Sequence, residues 1–135
     1  MGGDGITARA APRKRGQGVP DYPRTLNAAA ELVDRWAETA PGRMAIRFGE
    51  TVFTYGDLAR EVNRFADGFR ALGLERDQCV VLSLANRPEA AFALLAAMRM
   101  GAIPVPTFHF LKTPELQHLI GVTDAVGLVA GDTQR

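Results

Sequence analysis

The second half of the sequence alternates short apolar runs with helical patterns. The runs QCVVLSL, AIPVP and AVGLVA, at residues 78–84, 102–106 and 125–130, have the length and the apolar character of buried strands. Between them lie NRPEAAFALLAAMRM and TPELQHLIGV, residues 86–100 and 113–122, each with a proline near the start of a helical pattern. The order strand, helix, strand, helix, strand predicts parallel strands joined by right-handed crossovers, which is an α/β fold.

The middle strand of this series contains two prolines, Pro104 and Pro106. Proline has no backbone N–H and is a poor strand residue. Because residues two apart in a strand aim their N–H groups to the same side, the two prolines remove the donors of one edge and leave the other edge able to pair. We therefore expect this strand to have one neighbour only, or to be bulged. Its end leads into the loop TFHFLK at the carboxyl edge of the sheet, where open α/β sheets bind ligands.

The first half predicts a helix followed by a small hairpin. Asn27 can cap a helix that runs to about Thr39. The residues expected on its apolar face are Ala29, Leu32, Val33, Trp36 and Ala40. The segment MAIRFGETVFTY, residues 44–55, then predicts two short strands around the turn Gly49-Glu50.

Two further helices carry recognisable start signals. Thr54 and Asp57 have the spacing of a capping box, with Asp in place of the usual Glu. The helix that follows has the apolar face Leu58, Val62, Phe65, Phe69 and Leu72 and ends at Gly73. In the helix at residues 113–122, Thr113 is the expected cap and Pro114 the first residue. The complete prediction is a partial three-layer α/β fold, in which a short parallel βαβαβ sheet follows a helix, a small hairpin and a second helix.

The basic charge of the chain lies mainly in its first 24 residues. They carry five basic and two acidic side chains and no periodicity, and we predict a disordered basic tail at 1–24 and one incomplete domain at 25–135. The formal net charge of the whole chain is +1, so no general basic surface indicates nucleic acid as a partner. No apolar stretch is long enough for a membrane span, and no signal peptide is recognisable. We therefore predict a cytoplasmic protein, in which the single cysteine, Cys79, is a buried and unreactive thiol.

The residues offer little catalytic chemistry. The sequence has no phosphate-binding glycine loop, no Cys/His set with zinc spacing and no nucleophile elbow around Ser83, so we predict no catalytic, metal or cofactor-binding residue. Asp57 and Glu61 are four apart on a helix, where two solvated carboxylates are the ordinary case. His109, in the loop at the carboxyl edge of the sheet, is the one candidate for contact with a substrate. Its ordinary alternative is a partly buried histidine bonded to backbone; His118 is expected on a helix surface.

Four segments in order resemble the opening part of the adenylate-forming enzymes, the superfamily of acyl-CoA synthetases, luciferases and peptide-synthetase adenylation domains. FTYGDL, residues 53–58, resembles their first core motif, and MRMGAIPVPTF, residues 98–108, resembles the second. VVLSLANRPE, residues 80–89, is similar to the intervening strand and helix start. LNAAAELVDRWA, residues 26–37, looks most like acyl-CoA synthetases of the medium-chain or aromatic kind.

The resemblance implies an AMP-forming ligase that joins a carboxylic acid to coenzyme A through an acyl-AMP intermediate, with ATP and magnesium. The family's phosphate loop, adenine-binding segment, ribose-binding aspartate and carboxy-terminal lysine have no counterpart in these 135 residues. We therefore expect an amino-terminal fragment that is inactive alone and binds no cofactor by itself. The alternative is a freestanding α/β interaction or binding module that kept the scaffold and lost the chemistry; a third reading is an unrelated small doubly wound domain.

A fragment of this kind is expected to expose surface that the missing part would cover. Each Leu or Phe left in water forfeits about 1.5–3 kcal/mol, against a stability margin of about 5–15 kcal/mol for a whole domain. The helix from Ala90 to Met98 is apolar on nearly every side and is the expected location of this surface. The expected partners are therefore the remainder of the adenylation domain, or a second copy through the exposed apolar surface.

Overall fold

A computed structural model describes residues 25–131. The predicted basic tail, residues 1–24, lies outside the described residues. In chain order the elements are a π-helical segment, Ala30–Asp34, that runs directly into α1, Arg35–Thr39; the strands β1, Met44–Phe48, and β2, Thr51–Thr54; and the helix α2, Tyr55–Ala71. Then follow β3, Cys79–Ser83; α3, Pro88–Met100; β4, Ile103–Thr107; α4, Thr113–Thr123; and β5, Gly127–Ala130. The α/β fold class, with a hairpin before a parallel βαβαβ unit, is confirmed.

The parallel sheet has the strand order β4-β3-β5, and β3 is its central strand. Val81 lies opposite Val105 on one side and Leu128 on the other. Val80 and Leu82 are buried in one cluster with α2 and α3, while α4 adds no residue to that cluster and contacts β3. The fully buried Val81 lies outside this cluster. The sheet is therefore covered by α2 and α3 on one face and by α4 on the other, which is the predicted three-layer arrangement.

The prolines of β4 act as the sequence predicts. Ile103 donates its N–H to the carbonyl of Gln78 at 2.8 Å, so the odd-numbered residues of β4 face β3. Pro104 and Pro106 consequently have their missing donors on the outer edge. Within residues 25–131, β4 pairs with β3 alone.

Helix α2 begins with the predicted capping box. The hydroxyl of Thr54 accepts from the N–H of Asp57 at 3.2 Å, and the carboxylate of Asp57 accepts from the Thr54 N–H at 2.9 Å and from its hydroxyl at 2.6 Å. Leu58, Val62 and Phe69 are buried as expected. The prediction that Leu72 belongs to the same apolar face is wrong, since Leu72 is 85% exposed. Helix α2 ends at Ala71, so Leu72 lies beyond the last residue that follows the helical period.

The first helix departs from a regular period. The Asn27 side chain caps it as predicted, accepting from the N–H groups of Ala29 at 3.0 Å and Ala30 at 3.3 Å. Arg35 donates to the carbonyl of Ala30, five residues back, so the segment between them is π-helical and turns less per residue. Because the angular step changes there, a face extrapolated at the α-helical period fails, and Leu32 is 57% exposed.

Helix α4 starts one residue earlier than the capping signal suggests. Lys112 is the N-cap, and its backbone N–H donates to the carboxylate of Glu115 at 2.7 Å. Thr113, predicted as the cap, is the first helical residue. Glu115 supplies the acceptor instead, three residues into the helix.

The exposed apolar surface lies elsewhere than predicted. Within α3, Phe92, Ala93, Ala96 and Ala97 are buried and no residue from Ala90 to Met98 is exposed, because α3 packs against both α2 and the sheet. The large exposed apolar side chains are Leu26, Leu32, Met44, Phe48, Val52, Leu72, Ile103, Phe108, Phe110, Val122, Val126 and Leu128. Several of them lie at the ends and edges of the parallel sheet. Among residues 25–131, no helix is both long and apolar enough to cross a membrane.

Candidate functional site

The carboxyl edge of the parallel sheet is where an open α/β fold of this order binds ligands. β3 ends there at Ser83 and β4 at Thr107. Ser83 is buried, and its hydroxyl donates to the carbonyl of Phe108 at 3.3 Å. This hydrogen bond attaches the loop after β4 to the end of the central strand. The Ser83 side chain thus holds the backbone of this loop in place.

The loop after β4 presents aromatic side chains to solvent. Phe108 and Phe110 are 66% and 68% exposed, and their rings stack with centroids 5.1 Å apart. His109 is also exposed, and its ring meets the edge of Phe110 at 5.5 Å. The structure therefore places His109 at the carboxyl edge as predicted, and its alternative as a partly buried histidine is wrong. His118 lies exposed on α4, as expected.

Two small hollows adjoin this loop. One encloses about 180 Å³ between the start of α3 and the end of β4; its lining includes Leu84, Leu94 and Pro106. The other is a shallow hollow of about 290 Å³ formed by Pro106, Thr107 and Phe108. Both are lined mainly by apolar groups, and His109 lines neither of them. They offer contact to an apolar group and no charged anchor for a phosphate.

Asp57 and Glu61 both take part in structural contacts on α2. Asp57 belongs to the capping box and also pairs with Arg60. Its pKa is lowered, first by the hydrogen bonds from the Thr54 hydroxyl and N–H and then by the charge of Arg60. Glu61 pairs with Arg64 at 2.6 Å. Asp57 and Glu61 thus have separate cationic partners and do not form an acid–base pair.

A polar network joins the first helix to α2 and α3. Arg99, in the last turn of α3, pairs with Asp34 and donates to the side-chain oxygen of Asn63. Its carbonyl accepts from the Asn27 side chain at 3.0 Å. Burial lowers the pKa of Arg99. The sequence did not predict this network, because the partners of Arg99 lie between 36 and 72 residues away from it in the chain.

The next feature is the placement of possible metal-ligating side chains in the described residues. Residues 25–131 contain no group of three or more His, Cys, Asp or Glu side chains placed to hold a metal ion. Cys79 lies at the amino end of β3, away from the carboxyl edge, and is half-buried where a buried thiol was predicted. The feature that the described residues do place at the carboxyl edge is the exposed aromatic loop.

Comparison with known proteins identifies the fold and its relatives. The sequence profile of the family described as "AMP-binding enzyme" matches residues 33–135. An indoleacetate–CoA ligase from Aromatoleum aromaticum is 37% identical over 91 residues, which are 67% of this chain and 18% of that protein. An acetyl-coenzyme A synthetase from Shewanella pealeana is 39% identical over 88 residues, 61% of this chain and 14% of that protein.

A solved structure agrees with these sequences. The benzoate CoA ligase from Burkholderia xenovorans superimposes with a TM-score of 0.72 and 27% identity, over 78% of this chain and 22% of that chain. The match covers less than a quarter of the length of each of these three proteins.

Proposed function

This chain belongs to the AMP-binding enzyme family, and from that membership we propose that it is the amino-terminal scaffold segment of an AMP-forming acyl-CoA ligase. The single observation that carries the proposal is the superposition of 78% of the chain on 22% of a benzoate CoA ligase, with a TM-score of 0.72. In the complete reaction, a carboxylate attacks the α-phosphate of ATP to give acyl-AMP and pyrophosphate. The thiol of coenzyme A then displaces AMP to give the thioester.

The residues of this segment do not fit the nucleotide or the magnesium ion of that reaction. The described part of the chain has no metal-ligand group, and the whole sequence has no phosphate-binding glycine loop. We therefore propose that ATP, magnesium and coenzyme A bind to a later part of the enzyme and that this chain alone is inactive. Its own contribution is the sheet and helices on which that later part packs. A cytoplasmic location stays a prediction.

The acid is proposed to be aromatic or of medium chain length. The names of the indoleacetate and benzoate ligases support an aromatic acid, while the acetyl-coenzyme A synthetase is similar to a comparable degree. His109 is proposed to contact this acid, because it projects from the aromatic loop at the carboxyl edge. A histidine there would orient the acid without carrying out a chemical step.

The experiment is ATP–pyrophosphate exchange driven by indoleacetate. The purified 135-residue chain is expected to give no exchange with indoleacetate, benzoate, octanoate or acetate. A chimera, in which the matching 91 residues of the Aromatoleum aromaticum ligase are replaced by those of this chain, is expected to retain exchange. The intact ligase is the positive control, and the ligase lacking the segment is the negative control.

The outcomes separate the alternatives. Turnover by the pure chain, or a folded chimera without exchange, would contradict the proposed function. In the active chimera, His109→Ala is expected to raise the KM for the acid several-fold, whereas His118→Ala on the exposed face of α4 leaves it unchanged. Equal KM values for the two variants would remove His109 from the site.

A further inference from the structure

The first helix of the structure has few buried side chains to hold it in place. Of residues 27–39, only Ala29 and Val33 are buried. The middle of this helix is the π-helical segment Ala30–Asp34, and π-helical turns are rare in proteins. Helices shorter than about 12–15 residues are marginal in water on their own. The folded state of the first helix therefore depends on the contacts that it makes with the rest of the molecule.

Arg99 supplies the polar contacts toward the amino end of this helix. The side-chain amide of Asn27 donates to the carbonyl of Arg99 at 3.0 Å. The guanidinium of Arg99 pairs with the carboxylate of Asp34, the last residue of the π-helical segment. A single residue in the last turn of α3 thus holds the first helix at two points, one through its backbone and one through its side chain.

The carboxyl end of the helix is followed by a segment fixed to the start of α2. The N–H of Gly56 donates to the carbonyl of Pro41 at 2.9 Å. The N–H of Tyr55 donates to the carbonyl of Arg43, also at 2.9 Å. The ring of Trp36 stacks on that of Tyr55, with centroids 5.8 Å apart. Backbone hydrogen bonds therefore hold this end independently of Arg99.

We propose that residues 27–39 form a strap that opens as a unit, with Pro41–Arg43 as its hinge and Arg99 as its latch, while α2, α3 and the parallel sheet stay folded. On opening, Ala29 and Val33 leave their buried positions and the part of α2 beneath the strap becomes accessible to water. Elements with few buried contacts open at a lower free energy than the core does. The inference concerns a motion of this segment and does not depend on the proposed function.

Thiol labelling measures this opening in the 135-residue chain. Ala29 in the strap and Ala93 in α3 are both 0% exposed. Each is replaced by cysteine in a Cys79→Ser background, and the rate of reaction with a thiol reagent is followed at rising urea concentrations below the unfolding transition. We expect Ala29→Cys to react at least a hundredfold faster than Ala93→Cys. Its rate should be almost independent of urea, because opening of the strap exposes little surface, whereas the Ala93→Cys rate should rise steeply.

A matched pair of arginine variants tests the latch. Arg99→Met removes the guanidinium that pairs with Asp34, and we expect it to raise the labelling rate of Ala29→Cys at least fivefold. Arg70→Met removes a guanidinium from an exposed ion pair on α2 and should change that rate less than twofold. Circular dichroism checks that each variant is folded before it is labelled.

A third variant tests whether the strap opens without the sheet. Val81 is fully buried in the central strand β3 and lies outside the cluster that contains Val33. Val81→Ala destabilises the sheet and should raise the labelling rate of Ala93→Cys at least tenfold. The rate of Ala29→Cys should stay within twofold, because opening of the strap does not require the sheet to unfold.

Amide hydrogen exchange gives the same information for the unsubstituted chain and decides the matter if a cysteine variant does not fold. The N–H of Arg35 donates to the carbonyl of Ala30 within the strap. We expect this amide to exchange at least a hundredfold faster than those of Val81 and Leu82 in β3, after correction for intrinsic rates. Equal protection in the strap and in β3 would overturn the inference. So would equal labelling rates at the two cysteine positions, equal effects of the two arginine variants, or a Val81→Ala variant that raises both rates alike.

Discussion

At the scale of single residues, the capping box of α2 sets a pH dependence. The Thr54 hydroxyl and N–H donate to the Asp57 carboxylate and lower its pKa below its ordinary value of 3.8. A carboxyl whose pKa falls on folding contributes stability above its unfolded-state pKa, and this contribution is lost as the pH falls through the folded-state pKa. Asp57 therefore stabilises the fold at neutral pH and ceases to do so in acid.

We expect Asp57→Asn to unfold at a lower denaturant concentration than the parent chain at pH 7. The difference should shrink as the pH falls below the ordinary carboxyl pKa of 3.8 and then through the lower pKa of Asp57 in the folded chain. Urea titrations between pH 2.5 and 7 measure it. Asp67→Asn is the matched control. It also removes a carboxylate from α2, but Asp67 pairs only with Arg70 in the described contacts and does not cap the helix. A constant difference across the pH range would contradict the role of Asp57.

Arg99 carries a second prediction at this scale. Its side chain is 19% exposed and joins Asp34 and Asn63, so Arg99→Met leaves a partly shielded carboxylate without its cation. Because Asp34 is itself 39% exposed, we expect a loss of only about 1–2 kcal/mol in the free energy of unfolding. Arg70→Met, at a pair that is mostly solvated, should cost less than about 0.5 kcal/mol. Equal losses in the two variants would show that the Arg99 network stabilises the fold no more than an exposed ion pair does.

At the scale of elements, replacing a glycine by alanine should change the free energy of unfolding in opposite directions at two positions, Gly101 and Gly68. Gly101 ends α3 with a φ of +76°, and a Cβ there would lie 3.2 Å from Cγ of Arg76. Gly68 lies inside α2 with nothing within 4 Å of an added Cβ. Left-handed backbone costs a residue with a Cβ about 1–2 kcal/mol, whereas glycine inside a helix is worse than alanine by about 0.5–1 kcal/mol.

Gly101→Ala is therefore expected to lower the free energy of unfolding by about 1–2 kcal/mol. Gly68→Ala is expected to raise it by about 0.5–1 kcal/mol. Thermal and urea unfolding of the two variants give both values under the same conditions. A stabilising Gly101→Ala would mean that α3 does not end in the left-handed conformation.

At the scale of the whole molecule, the exposed aromatic loop bears on solubility. Phe108 and Phe110 are exposed in stacked contact at the carboxyl edge, and the loop backbone is held separately by the Ser83 hydroxyl. Removing the rings therefore takes away apolar surface without removing a core contact. Exposed apolar surface of this kind promotes association between chains.

The double variant Phe108→Ser/Phe110→Ser is expected to bind less of an apolar dye and to associate less with rising concentration, as measured by fluorescence and light scattering. Its free energy of unfolding should stay within about 0.5 kcal/mol of the parent. Phe92→Ser is the contrasting variant, because Phe92 is 3% exposed and packs against Phe53 and Phe65. It should lose about 3–5 kcal/mol. A large loss of stability in the double variant would show that the loop rings belong to the core.

The sequence by itself determined the order of the helices and strands, the caps at Asn27 and Thr54, and the pairing of β4 with β3 alone among residues 25–131. These signals are local: a period, a capping side chain or a missing N–H acts within a few residues. The tertiary structure alone decided the exposure of Leu32 and Leu72, the burial of α3 and the Arg99 network. It also formed the aromatic loop surface. These features depend on which distant segments of the chain pack together. No short sequence pattern shows which of those segments come into contact.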